Sequence, residues 1–283
     1  MTCTICNGGH TRPYGPECNG FNFIKCHDCG YVVASPMPSQ AELDDLYAAE
    51  HFHSSYHPEQ AENSELLAQR EVQYVQDREM LLEFVSGGRL LDFGCGNGRF
   101  LGGFPDSFSK AGYEFNRTTT DYLKQNAAFE VLETMGDLAQ LEPGSFDAVS
   151  MRGVIEHLIE PEPVLAQLAT KLAKGGVLYI CATPNVDSPC ALVYGQDWNQ
   201  FTPPYHLHYF SPRTLAIMAA RHGLALIECR FPYLGTPYED EVPDGQRFVR
   251  DAVDGASEGA VATKVSSPPF PGTMMSLVFR RVE

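Results

Sequence analysis

From residue 89 onward, short apolar runs alternate with segments whose apolar residues recur every three or four positions. The apolar runs predict strands at Arg89–Phe93, Ser109–Glu114, Phe146–Met151, Val177–Ala182, Leu224–Phe231 and Met275–Arg281, with a short further strand at Phe129–Glu133. Between them, Val164, Leu165, Leu168 and Leu172 lie on one face of a helix predicted over Pro161–Lys174, with Gly175 and Gly176 to stop it. Ser211, Pro212 and Gly223 bracket a second helix as N-cap, first turn and C-cap. The helix after the first of these strands should be short, because Arg99-Phe-Leu-Gly-Gly-Phe-Pro105 breaks it early. Strands alternating with helices imply a parallel sheet covered on both faces, an α/β fold.

Upstream the pattern is weaker. Ser39-Gln-Ala-Glu-Leu-Asp-Asp-Leu-Tyr47 starts like a capped helix, and a longer helical period runs from about Ser64 to Phe84. Tyr47, His51, His53, Tyr56 and His57 crowd the stretch between the two, as the wall of a pocket does. Residues 235–272 are rich in Gly, Pro, Asp and Glu and read as a surface insertion with one short helix. The expected organisation is a module at 1–37, a helical lid or bridge at 38–87 and an α/β domain at 88–283.

The polar opening cannot build a core alone, and the cysteines supply the reason it need not. Cys3-x-x-Cys6 and Cys26-x-x-Cys29 form two knuckles able to close on one tetrahedral Zn²⁺. Four protein ligands fill the coordination sphere, so such an ion is structural. Cys18, His10 and His27 are reserve ligands. Lys and Arg number 20 against 36 Asp and Glu, a net charge of −16, which repels phosphate backbones and disfavours nucleic acid as partner. No apolar run approaches the ~20 residues needed to span a bilayer, and Met1-Thr-Cys-Thr lacks the features of a signal peptide. A cytoplasmic protein with no membrane partner is expected; the oligomeric state is left open.

The first strand runs into Asp92-Phe-Gly-Cys-Gly-Asn-Gly98. Gly94, Gly96 and Gly98 let the backbone approach a ligand closely, with Cys95 between the first two. The third glycine stands two residues after the second, not three as in the dinucleotide fingerprint, and the Asp92 carboxylate suits a cationic group better than a pyrophosphate. This turn resembles the first motif of class I S-adenosylmethionine-dependent methyltransferases. The resemblance implies a Rossmann-like seven-stranded sheet whose last strand is antiparallel, following a small N-terminal zinc-binding module of four cysteines, with S-adenosylmethionine as cofactor.

Further motifs carry the likeness along the chain. Tyr113-Glu-Phe-Asn116 resembles the second motif, implying that Glu114, beside Phe115, accepts the ribose hydroxyls. Gly136-Asp-Leu138 is similar to the adenine-contacting segment, with Asp137 on the amino group and Leu138 on the ring. Phe146 to Leu158 resembles the fourth-strand motif closing in Glu-His-Leu, which places Met151 and Arg152 at the cofactor and His157 near the acceptor. Ubiquinone-pathway relatives carry another carboxylate three residues before that Glu and bind a divalent cation; Gly153 stands there here, so no catalytic metal is expected.

Gly195 to Leu215, with Trp198, rigid prolines and paired histidines, is the expected acceptor segment. His208 is the first choice for a general base and His206 the second. Tyr205, His157 and Tyr56 are expected to position the acceptor. The knuckles and the closing His-Leu-His-Tyr-Phe-Ser211 look like bacterial methyltransferases of surface-polysaccharide and antibiotic-sugar pathways, which implies a hydroxyl of a sugar, nucleotide-sugar or related natural product as acceptor. Deoxysugar C-methyltransferases are the alternative, but their Tyr-x-Glu-His segment has Leu207 here in place of Glu. Rivals of another class are an RNA-binding ribosomal RNA methyltransferase, against which residues 1–36 offer only Arg12 and Lys25, and a non-catalytic cofactor-binding scaffold.

Overall fold

The computed structural model describes residues 2–15, 17–48, 64–233, 236, 241–258 and 272–282. Strands β1 (Thr11–Pro13), β2 (Asn22–Cys26) and β3 (Val32–Ser35) open the chain, followed by helices α1 (Gln40–Ala48) and α2 (Ser64–Leu82). The α/β part then runs β4 (Gly88–Phe93), α3 (Arg99–Gly102), β5 (Phe108–Tyr113), α4 (Arg117–Asn126), β6 (Glu130–Leu132), α5 (Met135–Gln140) and β7 (Phe146–Arg152). A 3₁₀ turn at Ile155–His157 leads to α6 (Pro161–Lys171), β8 (Leu172–Pro184), α7 (Pro189–Tyr194), β9 (His208–Tyr209), α8 (Pro212–Ala220), β10 (Leu224–Arg230), α9 (Glu241–Glu258) and β11 (Met274–Arg281).

Seven strands form one sheet in the order β10-β11-β8-β7-β4-β5-β6. β11 pairs antiparallel with both β8 and β10, while β4, β5, β6, β7 and β8 are mutually parallel. The chain leaves β4 toward β5 on one side and returns through β7 on the other, so the crevice above β4 is where such sheets bind ligands. Side-chain alternation explains the unbroken apolar runs. Leu91, Val149, Leu178 and Phe279 pack toward α6 and α8 through Leu165, Leu168, Leu215 and Met218. Their neighbours Leu90, Ala148, Tyr179 and Val278 face the other way, onto Leu81 of α2 and Phe100 and Leu101 of α3.

Three elements differ from the expectation. The helix expected to reach Lys174 ends at Lys171, because Leu172 already pairs with Phe146 of β7 and starts an early length of β8 before the glycine kink. The insertion holds an 18-residue helix, α9, docked by the Tyr194 hydroxyl donating to Asp251 at 2.6 Å and by the Tyr194–Phe248 ring contact. Gly245 disguises its length, since glycine ranks low in helix propensity, whereas Pro243 falls in the first turn, where proline is tolerated. The third is the N-terminal segment, which forms a four-stranded sheet in the order β1-β2-β3-β9, its last strand supplied by the histidine segment. Cys3, Ile5, Cys26, Cys29 and Tyr31 share one buried cluster with the large sheet.

Candidate active site

The carboxyl ends of β4, β5, β7 and β8 open into a cavity of about 810 Å³, toward the upper end of the ~300–1,000 Å³ usual for ligand sites. Its floor is the glycine turn. The Gly94 and Cys95 amides donate to the Tyr113 carbonyl at 2.8 and 2.9 Å, tying the turn to the end of β5. Gly94 has φ 80°, and a Cβ there would strike Val154 at 2.6 Å. At Gly96, with φ 54°, a Cβ would meet open space on the cavity side, the close approach a bound cofactor needs.

Two buried carboxylates frame this floor. Asp92 is 2% exposed and accepts the Ser150 hydroxyl at 2.7 Å; burial pushes its carboxyl up to about 7, against the pull of Ser150 and Arg152. Glu114 accepts the Gly96 amide at 2.9 Å through one oxygen and the Asn116 amide at 2.8 Å through the other. Burial raises its carboxyl too, opposed by those amides. Arg152, at the end of β7, donates through Nε to Asp77 of α2 at 2.8 Å, and its guanidinium lies 4.6 Å from the Tyr74 ring centre. That pair fastens α2 over the cavity, where Gln73 and Tyr74 line it.

The opposite wall carries the acid–base groups. His157 Nδ1–H donates to the Tyr205 carbonyl at 2.8 Å, and His206 Nδ1–H donates to the Gln200 carbonyl at 2.9 Å. Each ring is thereby locked in the tautomer that leaves Nε2 with a free lone pair. The rings meet edge to face at 4.9 Å. Burial keeps both neutral, pushing His157 down to about 3 and lowering His206. Between them Glu156, 1% exposed, is pushed up to about 8 by burial and accepts the Thr183 hydroxyl at 3.2 Å. The donor atoms of Glu156, His157 and His206 all lie within 4.8 Å of one another, so the three could share one cation. Tyr47 of α1 closes the top: its hydroxyl is 3.3 Å from His157 Nδ1, and its carbonyl accepts the Asn116 amide side chain at 3.2 Å.

Of the residues expected from the sequence, Asp92, Gly94, Cys95, Gly96, Glu114, Phe115, Arg152, His157 and His206 line this cavity. The others stand elsewhere. His208 is 5% exposed, donates through Nε2 to the Ile159 carbonyl at 3.3 Å and accepts the Tyr31 hydroxyl at Nδ1, so neither nitrogen is free for a substrate proton. Asp137 spends its carboxylate on the Glu133 and Thr134 amides in the capping box of α5, and Leu138 is buried beneath it; Met135 lines the cavity instead. Met151 is fully buried in the sheet core. Tyr205 contributes its carbonyl, and Tyr56 lies outside the described residues. Glu156, Gln73 and Gln200 line the cavity without having been expected to. Glu156 was readable as the acid of Glu-His-Leu, whereas the two glutamines carry no motif.

Away from the cavity, the four knuckle sulfurs converge. Cys3 and Cys29 Sγ are 3.7 Å apart, and Cys6 and Cys26 Sγ 3.6 Å. A tetrahedron with Zn–S bonds of about 2.3 Å has edges of about 3.8 Å, whereas a disulfide needs about 2.05 Å. The Gly8 amide points at Cys6 Sγ at 3.4 Å, an outer hydrogen bond of the kind that steadies metal thiolates. Among the described residues no helix is long and apolar enough to cross a membrane.

Comparison with known proteins agrees with this geometry. A family model described as "Methyltransferase domain" matches residues 66–229. A ubiquinone biosynthesis O-methyltransferase of Xanthomonas euvesicatoria is 29% identical over 169 residues, covering 51% of this chain and 68% of that protein. Several other ubiquinone-pathway relatives are matched over only 55% of their length. Among solved structures, a methyltransferase of Thermotoga maritima described as a possible histamine N-methyltransferase aligns with a TM-score of 0.54 at 16% identity, over 82% of this chain and all of its own. A 1,6-didemethyltoxoflavin-N1-methyltransferase of Burkholderia thailandensis, solved with its substrate and S-adenosylhomocysteine, aligns with a TM-score of 0.54 at 12% identity, over 96% of this chain and 99% of its own.

Proposed function

This chain belongs to the S-adenosylmethionine-dependent methyltransferases, and on that premise we propose that it methylates a hydroxyl of a small, polar, sugar-like acceptor, with His206 as general base. The observation that carries the reading is the neutral His206 Nε2 in the same cavity as the glycine turn. Bound S-adenosylmethionine supplies a methyl on a sulfonium whose thioether leaves neutral, so no acid is needed. The protein therefore has three tasks: to hold the cofactor, to align the acceptor oxygen and to take its proton. Glu114 holds the ribose and Asp92 the cationic methionine end. Tyr47, His157 and Gln200 hold the acceptor, and His206 Nε2 takes the hydroxyl proton as the oxygen attacks. His157, pushed down to about 3 by burial and by the neighbouring His206, is assigned to positioning. The wall of amides, imidazoles and a phenol suits a neutral polar acceptor, and a net charge of −16 disfavours nucleic acid.

The test is an extract incubated with the enzyme and methyl-deuterated cofactor, followed by mass spectrometry. A labelled methyl ether on a hydroxylated metabolite is the expected result; label only in RNA, or no label at all, sinks the reading. The compact donor set of Glu156, His157 and His206 favours one second reading, in which a divalent cation held there binds the acceptor oxygen. In that case purified protein carries more metal than the knuckle accounts for, and Glu156→Gln removes the excess. For the knuckle itself we assign Cys3, Cys6, Cys26 and Cys29 to one structural Zn²⁺.

Cofactor binding should depend on pH through Asp92. With its carboxyl at about 7 in the free protein, Asp92 is mostly protonated at pH 6 and mostly ionised at pH 8. A bound ammonium favours the ionised form, so binding expels a proton and tightens as pH rises. S-adenosylhomocysteine is expected to bind about tenfold more weakly at pH 6 than at pH 8. Calorimetry in buffers of different ionisation enthalpy reads both the affinity and the released proton; an affinity flat across this range removes Asp92 from the cofactor site.

A further inference from the structure

The knuckle is built into the segment that carries the base. β3 pairs with β9 through Val33↔His208 and Val32↔Tyr209, and the Ala34 amide donates to the Leu207 carbonyl at 2.9 Å. Tyr31, two residues beyond Cys29, donates its hydroxyl to His208 Nδ1 and stacks on that ring at 6.0 Å. The Asn19 side-chain amide donates to the Pro203 carbonyl at 2.9 Å, and Cys18 Sγ to the Phe201 carbonyl at 3.7 Å. From the other side, the Leu207 amide donates to the Glu156 carbonyl at 2.9 Å and His208 Nε2 to the Ile159 carbonyl at 3.3 Å. Residues 201–208 are thus clamped between the knuckle and the Glu156–His157 turn, with His206 projecting from the clamp into the cavity.

We propose that the metal-filled knuckle is the device that positions the catalytic histidine: the ion holds β1–β3, that sheet holds the strap 201–208 through Tyr31 and His208, and the strap holds His206. His208 is thereby a positioning residue. The physical basis is unequal self-sufficiency. Strands of three, five and four residues cannot sustain a sheet on their own burial and depend on the ion. The seven-stranded sheet shares one face of its core with the knuckle but has a second face free of it, and it holds Asp92 by pairing within β4, β5 and β7 and Glu114 by the Gly96 and Asn116 amides. Losing the ion should therefore free the strap and leave the cofactor half standing.

The lone tryptophan makes this measurable. Trp198 is 1% exposed and packs in one cluster with Phe23, Val32, Phe201 and Tyr209, the residues that join knuckle and strap. Purified full-length protein is expected to contain knuckle zinc. Stripping it with a chelator should shift Trp198 emission to the red and raise hydrogen exchange in 201–208, with S-adenosylhomocysteine affinity changed less than about threefold. Adding zinc back should reverse all of it. Tyr31→Phe and His208→Ala should keep the zinc and the cofactor affinity while each lowers kcat about tenfold to a hundredfold. Their double variant should be no slower than the worse single one.

The role of His206 as base rests on the function proposed above, but the emission, exchange and binding readouts use no acceptor and stand apart from it. Protein purified without metal, an unchanged Trp198 and strap after stripping, loss of cofactor binding along with the metal, or full kcat in both single variants would each overturn the coupling.

Discussion

Alanine at position 206 is expected to lower kcat by about two to four powers of ten, the usual worth of one positioned general base, while S-adenosylhomocysteine affinity stays within about threefold. The split follows from the geometry. His206 lines the cavity beside His157 and Gln200, whereas Asp92, Glu114 and the glycine turn are fixed by bonds of their own to Ser150, Asn116 and Tyr113. Its Nδ1–H is fixed on the Gln200 carbonyl, so Nε2 is the only nitrogen able to accept a proton. Gln at the same position keeps a polar group near the acceptor but cannot take up a proton, and should be nearly as slow. Steady-state kinetics on the acceptor found by deuterium labelling, beside calorimetry, separates the two quantities. A fall in affinity matching the fall in rate would mean that the strap has collapsed; a wild-type kcat would remove His206 from the chemistry.

The contrast between His206 and His208 shows which parts of the site can be seen in a sequence. Strand ends that depend on local runs, such as Asp92 before the glycine turn and Glu114 after β5, can be placed because an apolar run and a glycine triplet mark them wherever they occur. The cysteine spacing is equally local. Which of two histidines separated by one residue faces the cavity is decided by the pairing of Val33 with His208, a contact between opposite ends of the chain that no local pattern encodes. Once that pair forms, Tyr31 takes His208, while His206 lies outside β9 in the preceding turn, where its bond to the Gln200 carbonyl holds it at the cavity.

Asp137 had a readable warning. Thr134 three residues before it is a capping-box pattern, which assigns the carboxylate to the start of α5, and that helix start leaves it off the cavity lining. Gln73 reached the cavity through the docking of α2 by Arg152 and Asp77, again a tertiary event. The length of helix α9, expected only as a short helix, was hidden for the opposite reason: Gly245 speaks against a long helix, and the Tyr194–Asp251 bond that holds it lies across the fold.

Glu114 is expected to give the largest binding effect: Glu114→Ala should weaken S-adenosylhomocysteine by roughly a hundredfold or more. Two hydrogen bonds to a charged group are worth at least about 3 kcal/mol together, and each 1.4 kcal/mol is tenfold. The ribose bonds are only part of the loss. The same carboxylate pins the Gly96 amide through one oxygen and the Asn116 amide through the other, so its removal also frees the turn that approaches the cofactor. Glu114→Gln distinguishes the two contributions. An amide side chain offers one oxygen and one NH₂, so it can satisfy only one of the two backbone donors and sets a donor against the other. Gln should therefore recover little of the affinity despite nearly identical volume. His206→Ala and Glu114→Ala then fail in opposite ways, the first in turnover with the cofactor bound, the second in binding. Thermal shift measures this directly: saturating S-adenosylhomocysteine should stabilise the His206 variant as it does the wild type and the Glu114 variants far less. Equal ligand-induced shifts in all of them would mean that the ribose is held elsewhere.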